Sequence, residues 1–489
     1  WTANITLTAG VNTINIRATD SRNNIANTSV NVTYTPVASG ETIFGMKTGG
    51  SDAFGYTTDI GNAIAIDTRD NCDGQGGKNC MIVGGNKGIA FMEKYTSTGQ
   101  LVWGGVMSGG GDVREIQLDS QGNIYIVGSV SGFLSFSGGT ILVSAGGNDV
   151  FVAKFSEAGV LQWAKKYGST FLDSFVVEES GEGVAVDANG NVYVSGYNSY
   201  YPIDFGCAVS NTSSSFLIKL NPQGICDWVK VYPGTTNYVN DVVLDTNGNI
   251  YITGSFTGTV DFGGGSVTAL NTLGNGAFFV AKYNSVGSYQ WMNQYALGNE
   301  PYHSSRGYSL FIDSFGNLYA TGAFGWTQSF GGSTTLTSYG ANDIILVKYR
   351  ASDGAHIWSK KLGGLNPTIT VTLFESGYGV ASDPSGNIYV TGEAWNTPVD
   401  VGMGTQTSLG TGRKILISSF DSNGNFRWGK TVAASKGLAI PYALSMDSFG
   451  NPVIAGRFWG IMDLGGIILE SDKNGTNYSM DIFIWKLAK

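Results

Sequence analysis

The chain has 489 residues, with 72 glycines, 10 prolines, 12% aromatic and 13% charged side chains, a formal net charge of −9 and a pI of about 4.8. Glycine without a fixed three-residue period excludes collagen, and this apolar and aromatic content excludes a disordered chain. The acidic balance argues against a nucleic-acid partner, which needs a basic surface, and no uninterrupted apolar run approaches the length of a membrane span.

In chain order, "GVNTINIRATD" (10–20) and "SVNVTYTP" (29–36) read as strands. No basic start, apolar core or cleavage site opens the chain at Trp1, so no signal peptide is expected there. The opening in mid-pattern reads as a piece of a longer precursor. Residues 1–36 are set apart from a repeat array over 37–489. Cys72 and Cys80 flank a glycine-rich insertion, and Cys207 and Cys226 follow. An even cysteine count suits an oxidising, extracellular or cell-surface location. A Cys72–Cys80 disulfide is expected. Spacing does not settle whether Cys207 and Cys226 pair, and four free buried thiols stay open as the alternative.

The array is marked by "DANGNVYVSG" (187–196), which reads as a tight turn followed by a strand. Close copies start at Asp119, Asp245, Asp313, Asp383 and Asp447, and a stretched copy starts at Asp67. The intervals run from 52 residues (67 to 119) to 70 (313 to 383), which suits one four-stranded propeller blade with long loops. Each unit has a short apolar strand before the Asp, then a strand with Tyr (Tyr125, Tyr193, Tyr251, Tyr319, Tyr389). A glycine-rich segment leads to a strand such as "FVAKY" (279–283). A last strand holds Trp103, Trp163, Trp228, Trp291, Trp358 or Trp428. The seventh unit ends before such a strand. "TIFGMKTGG" (42–50) matches "LQWAKKYGS" (161–169), with Phe44 in the Trp place, so this early strand is expected to complete the last blade and close the ring.

This ordered pattern, over roughly residues 41–489, resembles the seven-bladed β-propeller repeat family of bacterial surface and secreted proteins. The resemblance implies an all-β fold of seven four-stranded antiparallel blades, a scaffold and not one activity. Departures are Met81 and Val453 in the Tyr place and Ser419 where other units have Lys94, Lys154, Lys219, Lys282, Lys348 and Lys486. Residues 1–36 resemble the closing strands of a bacterial immunoglobulin-like domain, about three strands where a full sandwich has about seven. Further such domains of the same precursor are expected partners.

Catalytic chemistry finds little footing. In the Asp-x-x-Gly-Asn turn, Asp is expected to bond back to its own turn while Gly and Asn tolerate positive φ. A calcium loop needs several close oxygen ligands. Asp67, Asp70 and Asp73 in the insertion are the better metal candidates, against a merely disulfide-pinned loop, and calcium is the one cofactor considered. The Lys and Trp of a unit are expected to pack at the outer side of a blade, with the ammonium in water. His303 and His356 lack a nucleophile motif around them. Glu178–Glu179 could serve acid–base work but reads as solvated. "GGGDVRE" (109–115) leads into a strand, so a phosphate loop is rejected.

Strand alternation puts the Asp turns on one face, and the variable inter-blade and strand-two-to-three loops on the other. That long-loop face carries Tyr197, Tyr200, Tyr201, Phe256, Phe324, Trp326, Trp395, Phe458 and Trp459. Variable loops on a rigid scaffold usually carry function, and Tyr and Trp anchor sugar and protein contacts. For any single aromatic, capping a sheet is the plainer role. The expected function is a non-enzymatic binding and scaffold module of an adhesin-like protein, taking a surface glycan or protein. The alternatives are a subunit of an extracellular filament, self-assembling by strand addition at residues 1–36, and a polysaccharide lyase or hydrolase. The enzyme requires acidic and basic groups converging at the mouth of the central channel.

Overall fold

In six of the seven repeats the turn after the first strand is built by its own side chains. Oδ1 of Asp187 accepts hydrogen bonds from the backbone N–H of Asn189 and Asn191, and Oδ2 accepts one from Nδ2 of Asn191 at 2.8 Å. Gly190 between them sits at φ +80°, where a Cβ is unfavourable. The same bonds recur at Asp119, Asp245, Asp313, Asp383 and Asp447. In these six turns the role expected for the Asn is corrected: it is absent from the positive-φ residues and serves instead as a clamp on the Asp carboxylate, whereas Asn79 of the stretched copy sits at φ +61° as expected. The following tyrosine adds its hydroxyl to the same Oδ2, at 3.1 Å for Tyr125 and Tyr251.

The computed structural model describes residues 10–19, 25–34, 38–49, 59–169, 179–198, 202–210, 212–234, 237–270, 276–295, 305–339, 341–364, 375–395, 398–403, 405–406, 412–474 and 477–489. Among these the regular structure is all β, in antiparallel sheets arranged as a β-propeller. Four sheets have four strands each, as in Tyr238–Leu244, Ile250–Phe256, Ala277–Tyr283 and Tyr289–Tyr295. A fifth gains a hairpin and has six strands. The expected seven separate blades are therefore corrected to five, with the other blade strands in one eight-stranded sheet. The cause is a single parallel bridge, Arg413 to Leu438, which joins the meander beginning at Ser376–Ser382 to the one beginning at Leu438–Met446.

Strand Thr42–Thr48 pairs with Met480–Leu487, with Phe44 opposite Lys486. Trp163 stands likewise opposite Lys154, and Trp228 opposite Lys219. Seven inner strands pack side by side round a channel: Ile60–Asp67, Met107–Leu118, Glu179–Val186, Tyr238–Leu244, Arg306–Ile312, Ser376–Ser382 and Leu438–Met446, the last against the first. The apolar core is divided between neighbouring repeats. One cluster joins Tyr125 and Val152 to Val184 and Phe216; another joins Val453 and Ile484 to Ile64 and Val83 across the ring closure.

Neighbours are also held at their outer strands. The Trp ring of one unit lies under the glycine of the next unit's turn between strands three and four. A Cβ on Gly224 would stand 2.8 Å from Trp163, one on Gly354 2.9 Å from Trp291, and one on Gly40 2.9 Å from Trp428. Gly99 lies the same way over Phe44. The lysines are corrected too. Lys282 and Lys348 are buried, lie over Tyr251 and Tyr319, and donate to the carbonyls of Ala351 and Ser422 in the next unit. They tie blades together and do not reach into water. Where Ser419 replaces the lysine, Arg427 bonds Ser419 and Tyr389 from the adjoining strand.

Two disulfides are present, Cys72–Cys80 and Cys207–Cys226. The N-terminal segment shows a hairpin of Gly10–Thr19 with Ile25–Tyr34. Gly224→Ala tests the latch against Gly316→Ala, a glycine of similar φ (+74° and +78°) with no atom within 4 Å of its Cβ position. Both should lose about 1–2 kcal/mol to left-handed backbone. Gly224→Ala should lose a further 1–3 kcal/mol, roughly, to overpacking on Trp163. Equal thermal or denaturant midpoints for the two variants would remove the latch.

Candidate functional site

The inner strands share one irregularity. The pairing register skips one residue in each of them, between Gly61 and Ala63, Val113 and Glu115, Gly181 and Gly183, Val239 and Asp241, Gly307 and Ser309, Gly377 and Gly379, and Pro441 and Ala443. The skipped residues are Asn62, Arg114, Glu182, Asn240, Tyr308, Tyr378 and Tyr442, each five positions before its turn Asp. A β-bulge re-aims the side chain of its extra residue. Here all seven line the central channel, a cavity of about 750 Å³. They lie towards the end remote from the Asp turns, which is the long-loop face.

The ring is aromatic and charged. Tyr197 meets Tyr238 edge-on at 4.9 Å, Tyr308 meets Tyr378 at 5.3 Å, and Tyr378 meets Tyr442 at 5.5 Å. The Arg306 guanidinium lies 4.2 Å from the Tyr238 ring centre and 5.0 Å from that of Tyr308, and donates to Oδ1 of Asn240 at 2.6 Å. Behind Tyr378, its hydroxyl donates to Glu393 at 2.8 Å, and Arg413 stands 3.4 Å from the same carboxylate. Arg457 lies over Tyr442. Asn62 donates to Asp112 at 2.6 Å, and Nε of Arg114 is 3.3 Å from it.

Two acids next to the bulge act as staples. Glu115 accepts from the backbone N–H of Val184, and Asp241 from that of Leu310, each on the next inner strand. Burial pushes the Glu115 carboxyl well above its ordinary range, with Asp241 adding to it, and pushes Asp241 up to about 7. Burial also raises Asp112 to about 6, against the pull of Arg114, and raises Glu393. A carboxyl raised to about 7, as that of Asp241 is, exchanges its proton near neutrality.

Of the aromatics singled out by sequence, Tyr197 joins this ring, and Tyr200 and Tyr201 lie outside the described residues. Trp395 packs under Arg413 at 4.9 Å, at the rim of the ring. Trp459 donates its Nε1 to the carbonyl of Tyr478 at 2.9 Å, and Trp326 is 48% exposed at φ +65° on an outer hairpin. The structure does not bring these last two to the channel. Phe256, Phe324 and Phe458 are buried in the core. Asp67, Asp70 and Asp73 do not converge: Arg69 and Lys94 take Asp67, Lys78 takes Asp70, and Asp73 caps its own turn through Gln75 and Gly77. Among the described residues no group of three or more such ligands could hold a metal. His303 and Glu178 lie outside the described residues. His356 packs edge-on against Tyr349. Glu179 is buried, not solvated, and takes the backbone N–H of Ser169.

Residues 357–398 match the β-propeller repeat family. The chain is a β-propeller repeat protein. It is 26% identical over 386 residues, 65% of its length, to an uncharacterised WD repeat-containing protein of Acanthamoeba polyphaga mimivirus, and spans 27% of that protein. Among solved structures, Saccharomyces cerevisiae Sqt1 overlays with a TM-score of 0.41 at 10% identity, covering 92% of this chain and all of that one. The quinohemoprotein alcohol dehydrogenase of Comamonas testosteroni overlays at 0.40 and 10% identity, covering 84% and 73%. A protein of unknown function from Bacteroides caccae overlays at 0.37 and 12%, covering 72% and 92%. None of these overlays bears on what this chain does.

Buried acids make stability depend on pH. Burial, with Asp149 adding to it, pushes Glu179 from 4.5 up to about 8. Between those values the folded state holds a proton that the unfolded state has lost, so stability is fully present below pH 4.5 and falls as pH rises to 8. Glu179→Gln should flatten that fall by up to about 1.4 kcal/mol per pH unit. Chemical denaturation at pH 5, 6.5 and 8 reads it. Parallel curves for the two proteins would contradict the assignment.

Proposed function

We propose that the chain is an extracellular binding module that takes a saccharide at the channel mouth on its long-loop face. The observation that carries this reading is the ring of bulge residues, which gathers Tyr, Asn, Arg and Glu around one opening. Tyrosine rings stack on the apolar faces of sugars. Amide, carboxylate and guanidinium groups pair with neighbouring hydroxyls, and few precisely placed polar groups in a concave site give orientation. The bulge recurs in each repeat while its side chain varies among Asn, Arg, Glu and Tyr, as suits a scaffold that varies its site. In the same reading the eight-stranded sheet counts as two blades joined at one bridge, giving a seven-sector ring. Two disulfides fit an oxidising, extracellular setting. The N-terminal hairpin is taken as the end of an immunoglobulin-like domain of a longer surface protein.

A second reading, a polysaccharide lyase or hydrolase, is favoured by one observation. Asp112, raised to about 6, stands beside Arg114, with Glu182 and Tyr442 close enough for their charges to be felt at Arg114. A carboxyl of that kind could act as an acid or base at neutral pH.

A glycan array followed by calorimetry on the best hit tests both. The wild-type chain should bind, Tyr308→Ala and Tyr378→Ala should each bind at least about tenfold more weakly, and Phe315→Ser on the Asp-turn face should bind as wild type. Binding unaffected by the tyrosine changes, or no saccharide bound, would overturn the reading. Release of new sugar ends that stops in Asp112→Asn would replace it with the second.

A further inference from the structure

Arginine is scarce in this acidic chain, and it is concentrated at the mouth. Four of the nine arginines, Arg114, Arg306, Arg413 and Arg457, surround the ring described above. Their charge is incompletely matched. Arg413 and Arg114 each have one carboxylate within ion-pairing distance, Glu393 and Asp112. Among the described residues no carboxylate pairs with Arg306 or Arg457, and Nε of each is buried without a hydrogen-bond partner. A guanidinium withdrawn from water without a counter-charge is costly, and the tyrosine faces offset only part of that cost.

For Arg306 the nearby acids do not supply the missing charge. Glu115 and Asp241 are engaged by backbone N–H groups of neighbouring strands. Glu393 is shared between Tyr378 and Arg413, and its charge also reaches Arg457. That leaves Glu182, which lines the opening on the side of Arg114. On the opposite side Arg306 lies between Tyr238 and Tyr308, with one hydrogen of Nη2 on Asn240, so the second Nη2 hydrogen and Nη1 make no other hydrogen bond among the described residues. A planar, pre-oriented guanidinium fork is suited to a carboxylate.

Resting on the saccharide reading, we propose that the sugar taken at this mouth is a uronate, with its carboxylate received by Arg306 and its ring faces by Tyr238 and Tyr308. Arg457 adds to the positive potential without touching it. The shared chemistry with a sulfated sugar is a negative charge; the planar fork and the flanking rings favour the carboxylate.

The test uses the full chain and three probe sets of matched length: uronate oligosaccharides (galacturonate, glucuronate and mannuronate), their methyl esters, and a sulfated neutral oligosaccharide. At least one uronate should bind ten or more times tighter than its methyl ester and than the sulfated probe. Arg306→Met should lose that preference, and Arg306→Lys should restore only part of it, with unchanged melting temperatures as the folding control. Equal affinity for acid and ester, or a preference for sulfate, would overturn the uronate assignment and leave the saccharide reading standing. Binding of none of the three sets while another neutral glycan binds would do the same. Absence of any glycan binding would overturn both.

Discussion

The contact on which the structure depends is the seating of one unit's outer-strand ring under the next unit's turn glycine. A four-stranded blade cannot bury its two faces alone, so each repeat is stable only when stacked on its neighbours. Trp163 beneath Gly224 and Trp291 beneath Gly354 fix the rotation of one blade against the next. The indole N–H is not what the latch has in common. Trp163 donates to Pro222 at 3.0 Å, while Nε1 of Trp291 and of Trp428 is buried without a partner. Shape is what repeats, because only a glycine in left-handed backbone lets a turn approach the indole face so closely. The buried lysines reinforce it, spanning from a tyrosine face in one unit to a carbonyl in the next.

Closure follows from the same contact. Gly40 sits on Trp428 and Phe44 sits beneath Gly99, so the strand Thr42–Thr48 is gripped from both sides as well as paired with Met480–Leu487. The ends of the array then leave no free sheet edge between first and last blades. A closed ring holds the inner strands at fixed spacing. That is why one bulge per strand delivers seven side chains to a common opening instead of scattering them. Rigidity has a cost at the mouth: Glu115 and Asp241 spend their carboxylates on neighbouring backbone and titrate far from their ordinary range.

Much of this was legible in the sequence. The turn Asp, its Gly and the Trp strand repeat in order, and Phe44 could be matched to the Trp place without coordinates. The long-loop face was also legible, since alternation of strand direction decides it. The ring itself was not singled out. Its residues sit five before each Asp, but they are Asn, Arg, Glu, Asn and three Tyr, and a search for recurrence passes over the one position where recurrence fails. The segment "GGGDVRE" leads into a strand and makes no phosphate loop, yet its Asp112, Arg114 and Glu115 belong to the mouth. Of the aromatics expected on the long-loop face, Trp326 stays on an outer hairpin and Trp459 at the end of the strand Pro452–Trp459.

What the sequence determined by itself was local and periodic: the turns and the strand order within a repeat, because each rests on bonds between residues a few positions apart. Tertiary structure decided what depends on distant neighbours. It merged two meanders through Arg413 and Leu438, buried lysines that looked like surface residues, and dispersed Asp67, Asp70 and Asp73 among separate partners. It also turned seven residues far apart in the chain into one site, since a bulge shows its side chain's direction only once its strand is paired.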